Sequence, residues 1–342
     1  MGVADASDSR LGILTGWVVD DLGFADSRIA PASADASFRR YFRLTRGSES
    51  FIVMDAPPDK EDLKPFISVA RTLSDVGVNV PLVLARDLER GFLLLTDLGT
   101  EQYLSSLTES SVEKLYADAL DALLKIEGAD PVHGAALPRY DETLLNREMQ
   151  LLPDWFLERH LGLRLSADDS GVLCETFAAL TAAALEQPAA IVHRDYHSRN
   201  LLITREDNPG IIDFQDAVWG PVTYDAVSLL KDCYIAWDPQ RVHDWALGHA
   251  RALAARGFKV GSEREYLRWF DLMGLQRHIK VLGIFARLFY RDGKSQYLND
   301  LPRVLAYTQE AAARYPETRR FAQFLAERVV PRFTEAQRRA LA

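Results

Sequence analysis

Leu11, Leu14, Val18 and Leu22 recur at intervals of three and four, which predicts an amphipathic helix over 11–22. Residues 30–37 are rich in small residues and read as a loop. The period then drops to two. Phe38, Arg40, Phe42 and Leu44 alternate with Arg39, Tyr41 and Arg43, the signature of a strand, and 51–54 supplies a second strand after Arg46-Gly47-Ser48. Helical spacing returns with Phe66, Val69, Leu73 and Val76 and stops at Gly77; 81–86 and 91–96 read as two further strands.

Beyond Leu98-Gly99 the pattern becomes helical. Val112, Leu115, Tyr116, Ala119, Leu120, Leu123 and Ile126 make one strong amphipathic helix, and further helices are expected over 144–161, 171–186, 224–236, 241–256, 263–291 and 301–330. Short strands interrupt this only within 191–214. The order predicts an α+β protein of two parts, a small antiparallel-sheet lobe over 1–97 and a large helical lobe over 98–342.

Composition narrows the function. The chain has 342 residues, 48% hydrophobic and 26% charged, which suits a folded globular protein. Its net charge of −9 is spread without a basic or acidic tail, so no nucleic-acid partner is expected. Cys174 and Cys233 are the two cysteines, too few for a disulfide framework, and both are expected to be buried fillers. The first ten residues lack a basic region followed by an apolar one, and every apolar run is broken well short of about 18 residues. A cytoplasmic protein with no membrane partner is expected.

Candidate chemistry gathers in one stretch. His193-Arg194-Asp195 and Asn200 spell H-R-D-x-x-x-x-N, and Ile212-Asp213-Phe214 follows. Phosphoryl transfer needs a carboxylate to orient the attacking hydroxyl, and an amide oxygen and a second carboxylate to hold Mg²⁺ on the nucleotide phosphates. Asp195, Asn200 and Asp213 are those groups, and a short hairpin of 201–204 with 210–212 is expected to return the second aspartate beside the first. A rival reading takes His193, Asp195 and His197 as ligands of a metallohydrolase, but it leaves Asn200 and Asp213 unused.

These motifs resemble the small-molecule branch of the protein-kinase-like fold, the aminoglycoside phosphotransferase and choline kinase family. Ala36-Ser37-Phe38-Arg39-Arg40-Tyr41-Phe42-Arg43, Val53-Met54-Asp55-Ala56-Pro57-Pro58, the 193–200 loop, 212–217 and 274–283 are similar to the bacterial anomeric N-acetylmuramate/N-acetylglucosamine kinases of cell-wall recycling. The resemblance implies a two-lobed kinase that uses ATP and Mg²⁺ to phosphorylate the anomeric hydroxyl of a small amino sugar, acting as a monomer or weak oligomer. It also assigns roles. Asp195 is implied as the catalytic base, Asn200 and Asp213 as metal ligands, the backbone of Thr96-Asp97-Leu98 as the adenine-binding hinge, and His197 as a contact to the transferred phosphate. His193 and Asp225 are implied to steady the loop.

The pattern departs from the family in one respect. A lysine on the third strand and a glutamate on the helix behind it are expected near Met54 and near Ser68 or Val69, and neither is present. Arg39, Arg40, Arg43 or Lys60 could supply the missing cation, with Arg43 chosen because it lies furthest into its strand. The absence also leaves open a nucleotide-binding pseudokinase, beside a kinase of choline or aminoglycosides. Arg277, Lys280, Arg287 and Arg291 share a helical face, read first as a solvated or interface face; a second reading has Arg277 and His278 meet the sugar, with Arg277 neutralising a lactyl carboxylate. Arg147, Glu148 and Asp216 are the other candidate substrate residues.

Overall fold

The computed structural model describes residues 6–34, 38–130 and 137–341. They fall into two units by their contacts. One takes the described residues up to Glu101, with Asp130 and Leu202–Asp216, and the other holds the remainder.

In the first unit α1 (Ala6–Gly16) is followed by β1 (Arg28–Ala34), β2 (Arg40–Arg46), β3 (Glu49–Asp55), α2 (Leu63–Asp75), β4 (Val83–Asp87) and β5 (Phe92–Thr96). The strands form one antiparallel sheet in the order β1-β2-β3-β5-β4. The period of two in β2 buries Phe42 and Leu44, which pack with Val53, Phe92 and Leu94 against Leu14, Trp17 and Val18. β5 is apolar on both faces, since Phe92, Leu93, Leu94 and Leu95 are all buried. On α2, Asp62 caps the first turn by accepting from the Lys64 N–H, and Gly77, at φ 73°, turns the chain away after the last turn.

β1 is a correction to the expected loop at 30–37. Its part up to Ala34 pairs with β2, with a bulge between Pro31 and Ser33; residues 35–37 lie outside the described residues. An edge strand donates along one side only, so proline and small residues are tolerated there, and their lack of apolar alternation hides the strand.

Two ribbons complete the β-structure: of β6 (Ala189–Val192), β7 (Leu201–Leu202), β8 (Gly210–Ile211) and β9 (Val218–Pro221), β6 pairs with β9 and β7 with β8. The second unit is otherwise helical: α3 (Tyr103–Ser106), α4 (Val112–Glu127), α5 (Glu142–Met149), α6 (Ala167–Leu185), α7 (Tyr224–Leu230), α8 (Pro239–Ala255), α9 (Glu263–Asp292), α10 (Leu301–Arg314), α11 (Arg319–Phe324) and α12 (Val330–Leu341). The helix expected over 144–161 is α5 plus a wider turn at Leu152–His160, closed by the Leu161 N–H on the Phe156 carbonyl at 3.0 Å.

α9 is the axis of this unit and packs against α6, α7, α8, α10 and Leu152–His160. Every residue from Phe270 to Gly283 is buried. Gly283 permits the closest approach: a Cβ there would stand 2.3 Å from the Leu151 carbonyl carbon. The solvated basic face expected on this helix is therefore corrected at its inner end, because neighbours surround α9 and enclose Arg277 and Lys280. Cys174 is likewise corrected. It lies on the outer side of α6 and is exposed, whereas Cys233 is buried. Among the described residues no helix is long and apolar enough to cross a membrane.

Candidate active site

The loop between β6 and β7 carries Asp195, and its shape is set from below by a carboxylate. Asp225, on the first turn of α7, accepts the His193 N–H at 2.5 Å and the Arg194 N–H at 3.0 Å. These bonds hold Arg194 at φ 74°, a left-handed conformation that costs a side-chain-bearing residue about 1–2 kcal/mol. The Asp195 N–H then donates to His193 Nδ1 at 3.3 Å, while its carbonyl accepts from the His197 N–H and from Asn200 Nδ2, both at 3.0 Å. Further along, Asp232 accepts the Ser198 N–H and hydroxyl, and the Tyr196 hydroxyl donates to the Ala119 carbonyl at 2.7 Å. Asp195, His197 and Asn200 thus share one pinned turn.

Beneath the loop lies a charged network. Glu148 on α5 accepts from Arg194 Nη2 at 2.5 Å, from Lys280 Nζ at 3.0 Å and from the Tyr140 hydroxyl. Lys280 Nζ also donates to the Tyr224 hydroxyl at 3.0 Å. One carboxylate therefore serves two cations. Burial pushes the Asp195 carboxyl up, but Lys280, His197, Arg277 and Arg194 outweigh it and hold the group down at about 2. Asp225 moves the other way, to about 7, because burial outweighs its two N–H bonds. His197 is driven toward its neutral form by burial, so it offers a ring N–H in place of a charge.

The first unit carries the other predicted residues. Asp213 stands at φ 67° and its Oδ1 accepts from Gln215 Nε2 at 2.7 Å. Its position is fixed on either side: the Ile211 N–H donates to the Asn79 carbonyl at 2.8 Å, and the Phe214 ring packs on Phe66 of α2 at 4.9 Å. Asp97, at the end of β5, accepts from Arg43 Nε at 2.7 Å, from the Ser50 hydroxyl and from the Gly99 N–H at 3.0 Å. Burial opposes its charge, yet Arg43 and Ser50 leave the Asp97 carboxyl below its ordinary value. Leu98 follows it, half-buried, with its side chain against Gly210.

Where the strand lysine was expected, Met54 is buried among apolar residues and Asp55 beside it is bound by both Arg10 and Arg40. A buried carboxylate that gathers two arginines stands where a buried cation was sought. Arg43 is joined to Asp97 and to the Gly99 carbonyl at 3.2 Å.

Of the candidate substrate residues, Glu148 and Arg277 lie in the network around Asp195, whereas Arg147 and Asp216 are exposed. His278 is fully buried; its Nε2–H donates to the Lys231 carbonyl at 3.0 Å, and its ring stacks on Tyr307 at 4.9 Å. Among the described residues no three His, Cys, Asp or Glu side chains are grouped to hold a metal ion, and His193 turns its Nδ1 to the loop backbone. Lys280, Arg194 and Asp232 were given no site role from the sequence. Helical spacing put Lys280 on a basic face with Arg277, and nothing in the sequence shows that other elements cover that face.

The model of the phosphotransferase enzyme family matches residues 28–266. An N-acetylmuramate/N-acetylglucosamine kinase of Pseudomonas aeruginosa is 47% identical over 311 residues, spanning 91% of this chain and 90% of that protein. One of the same name from Pseudomonas putida is 45% identical over 331 residues, spanning 94% and 97%. The fold is also that of a Plasmodium vivax ethanolamine kinase, with a TM-score of 0.61 at 10% identity over 88% of this chain and 87% of that one. An ADP-bound aminoglycoside phosphotransferase superposes with a TM-score of 0.56 at 14% identity, over 90% and 99%. Sequence, fold and the pinned Asp195 loop agree, and this chain belongs to the phosphotransferase enzyme family.

Proposed function

We propose that this protein uses ATP to phosphorylate the anomeric hydroxyl of N-acetylmuramate or N-acetylglucosamine, yielding a sugar 1-phosphate, and that it serves the reuse of cell-wall amino sugars. The observation that carries the reading is the Asp195 turn, in which a carboxylate held ionised by buried cations stands on the same loop as Asn200. The relatives named above support the choice of sugar.

Asp195 accepts a hydrogen bond from the sugar hydroxyl and aims its oxygen at the γ-phosphorus. An anomeric hydroxyl is more acidic than an ordinary alcohol, so a carboxylate titrating near 2 serves chiefly by orientation. Arg194 and Lys280, tied to Glu148, keep that carboxylate charged; His197 donates its ring N–H to the transferred phosphate. On the nucleotide side, the backbone at Asp97 and Leu98 meets adenine, and Arg43, already anchored on Asp97, is the cation directed to the phosphates. Asn200 and Asp213 offer hard oxygen donors, an amide and a carboxylate, which fit Mg²⁺. When bound, the ion neutralises charge on the phosphates.

The test is a panel of acceptors. ATP consumption is expected with N-acetylmuramate and N-acetylglucosamine, with a product that has lost its reducing end, and not with choline or an aminoglycoside. Asp195→Asn is expected to lower kcat about a hundredfold or more while leaving the fold and ATP affinity in place. Turnover confined to choline or an aminoglycoside, ATP binding without any turnover, or a fully active Asp195→Asn variant overturns the proposal.

A further inference from the structure

Three cations are buried among the described residues, Lys231, Lys280 and Arg277. Lys231 bonds Asp271 at 2.9 Å and Lys280 bonds Glu148 at 3.0 Å. Arg277 differs. It is 2% exposed, its buried Nε has no hydrogen-bond partner, and among the described residues no carboxylate forms an ion pair with it. Its recorded neighbour is the face of Tyr224, 5.6 Å from the guanidinium carbon. Enclosing a guanidinium without a hydrogen-bonded acceptor is costly; the charges of Asp195 and Asp232 favour its ionised form, but its buried Nε–H is left to be met by a bound anion.

Its place narrows what that anion is. Arg277 sits one turn before Lys280 on α9, both cations lie over Tyr224, and the charges of Asp195 and Asp232 reach it. It is therefore within electrostatic reach of the carboxylate that would orient the sugar hydroxyl. N-acetylmuramate differs from N-acetylglucosamine by a lactyl ether at O3, two ring carbons from the anomeric carbon. A sugar with its anomeric hydroxyl at Asp195 brings this carboxylate into the same pocket, and a planar guanidinium fork matches it with two parallel hydrogen bonds.

Resting on the amino-sugar kinase reading above, we infer that Arg277 is the residue that selects for the acid, pairing with the lactyl carboxylate of N-acetylmuramate. Bound N-acetylglucosamine leaves the guanidinium unpaired, so the enzyme works less efficiently on it.

The test compares kcat/KM for N-acetylmuramate, its methyl ester and N-acetylglucosamine in the wild type, Arg277→Gln and Arg277→Lys. The wild type is expected to favour the acid over the ester by about 10–100-fold, the range of a charge-assisted hydrogen-bond pair. Arg277→Gln should lose at least about tenfold more on the acid than on the ester or N-acetylglucosamine, so that the preference collapses, and Arg277→Lys, a point charge without the fork, should keep part of it. A wild type that treats acid and ester alike overturns the inference even if neither variant folds. Equal losses on all three sugars overturn it too, because they assign Arg277 to holding the unit together. If none of the three is phosphorylated, the function reading itself fails; if N-acetylglucosamine is turned over without an acid preference, only Arg277's role does.

Discussion

Asp225→Asn isolates what holds the Asp195 turn. The asparagine keeps the shape of the side chain but replaces one of its two acceptor oxygens by an N–H₂, so one of the N–H groups at His193 and Arg194 loses its partner and faces a donor. A buried donor left unsatisfied costs about 1–3 kcal/mol, and the lost bond was to a charged group, which places this one near 2–3 kcal/mol. That exceeds the strain of about 1–2 kcal/mol that Arg194 carries at φ 74°. The peptide at 193–194 should therefore relax, at a cost of about 30–160-fold in kcat, while a unit of this size shifts its Tm by only a few degrees. The pH profile supplies a second readout. With its carboxyl near 7, Asp225 takes up a proton as the pH falls through neutrality, and the protonated oxygen no longer accepts an N–H. The wild-type rate should fall by up to about tenfold per pH unit below 7, and Asp225→Asn should lack that limb. Steady-state kinetics from pH 5.5 to 8.5 on both proteins decide it; a variant within about twofold of wild-type kcat, with the same acid limb, refutes the role.

Two further outcomes check the packing of the helical unit. Gly283→Ala puts a methyl group 2.3 Å from the Leu151 carbonyl carbon and 2.4 Å from its oxygen. Backbone cannot swing aside as a side chain can, so the loss should reach the upper part of the usual 1–3 kcal/mol for overpacking, read as a lower urea midpoint; an unchanged midpoint removes α9 from its seat on Leu151. Thiol labelling of the native protein should consume Cys174 quickly and leave Cys233, whose thiol burial pushes up to about 12, until the chain is unfolded. Two fast thiols in the native state contradict the burial around Cys233.

Period and spacing made the elements with a well-defined apolar face legible. β2, β3, α2 and α4 stand where 38–44, 51–54, 66–76 and 112–126 placed them within a few residues, because each lays an apolar face on a core and the period follows from the geometry of the element. β1 lacked that signal, as an edge strand of small residues satisfies its backbone without burying much. The loop motif at 193–200 likewise spelled out Asp195 and Asn200, since backbone and chemistry there depend on neighbours in sequence. What could not be read was the partner of each charge. Glu148 meets Arg194 46 residues away, and Asp232 meets Ser198 at a separation of 34; spacing along the chain carries no trace of such pairings. The basic stripe on α9 misled for a related reason. Helical periodicity puts Arg277 and Lys280 on one face, but only the elements packed on that face determine whether it is wet.

Those long-range pairings set the charge state of Asp195. A carboxylate as desolvated as Asp195 would tend to take up a proton, and the neutral acid would be a weaker hydrogen-bond acceptor for a hydroxyl than the carboxylate is. Lys280 and Arg194 prevent this, and Glu148 keeps them in position without cancelling both, since one negative charge is shared between two positive ones. Arg277 adds a third cation with no hydrogen-bonded acceptor. The field around Asp195 is consequently built from α5, α9 and the loop between β6 and β7. A carboxyl held near 2 gains little from taking a proton in the ground state, so what Asp195 offers an acceptor hydroxyl is an ionised, fixed hydrogen-bond acceptor that orients it.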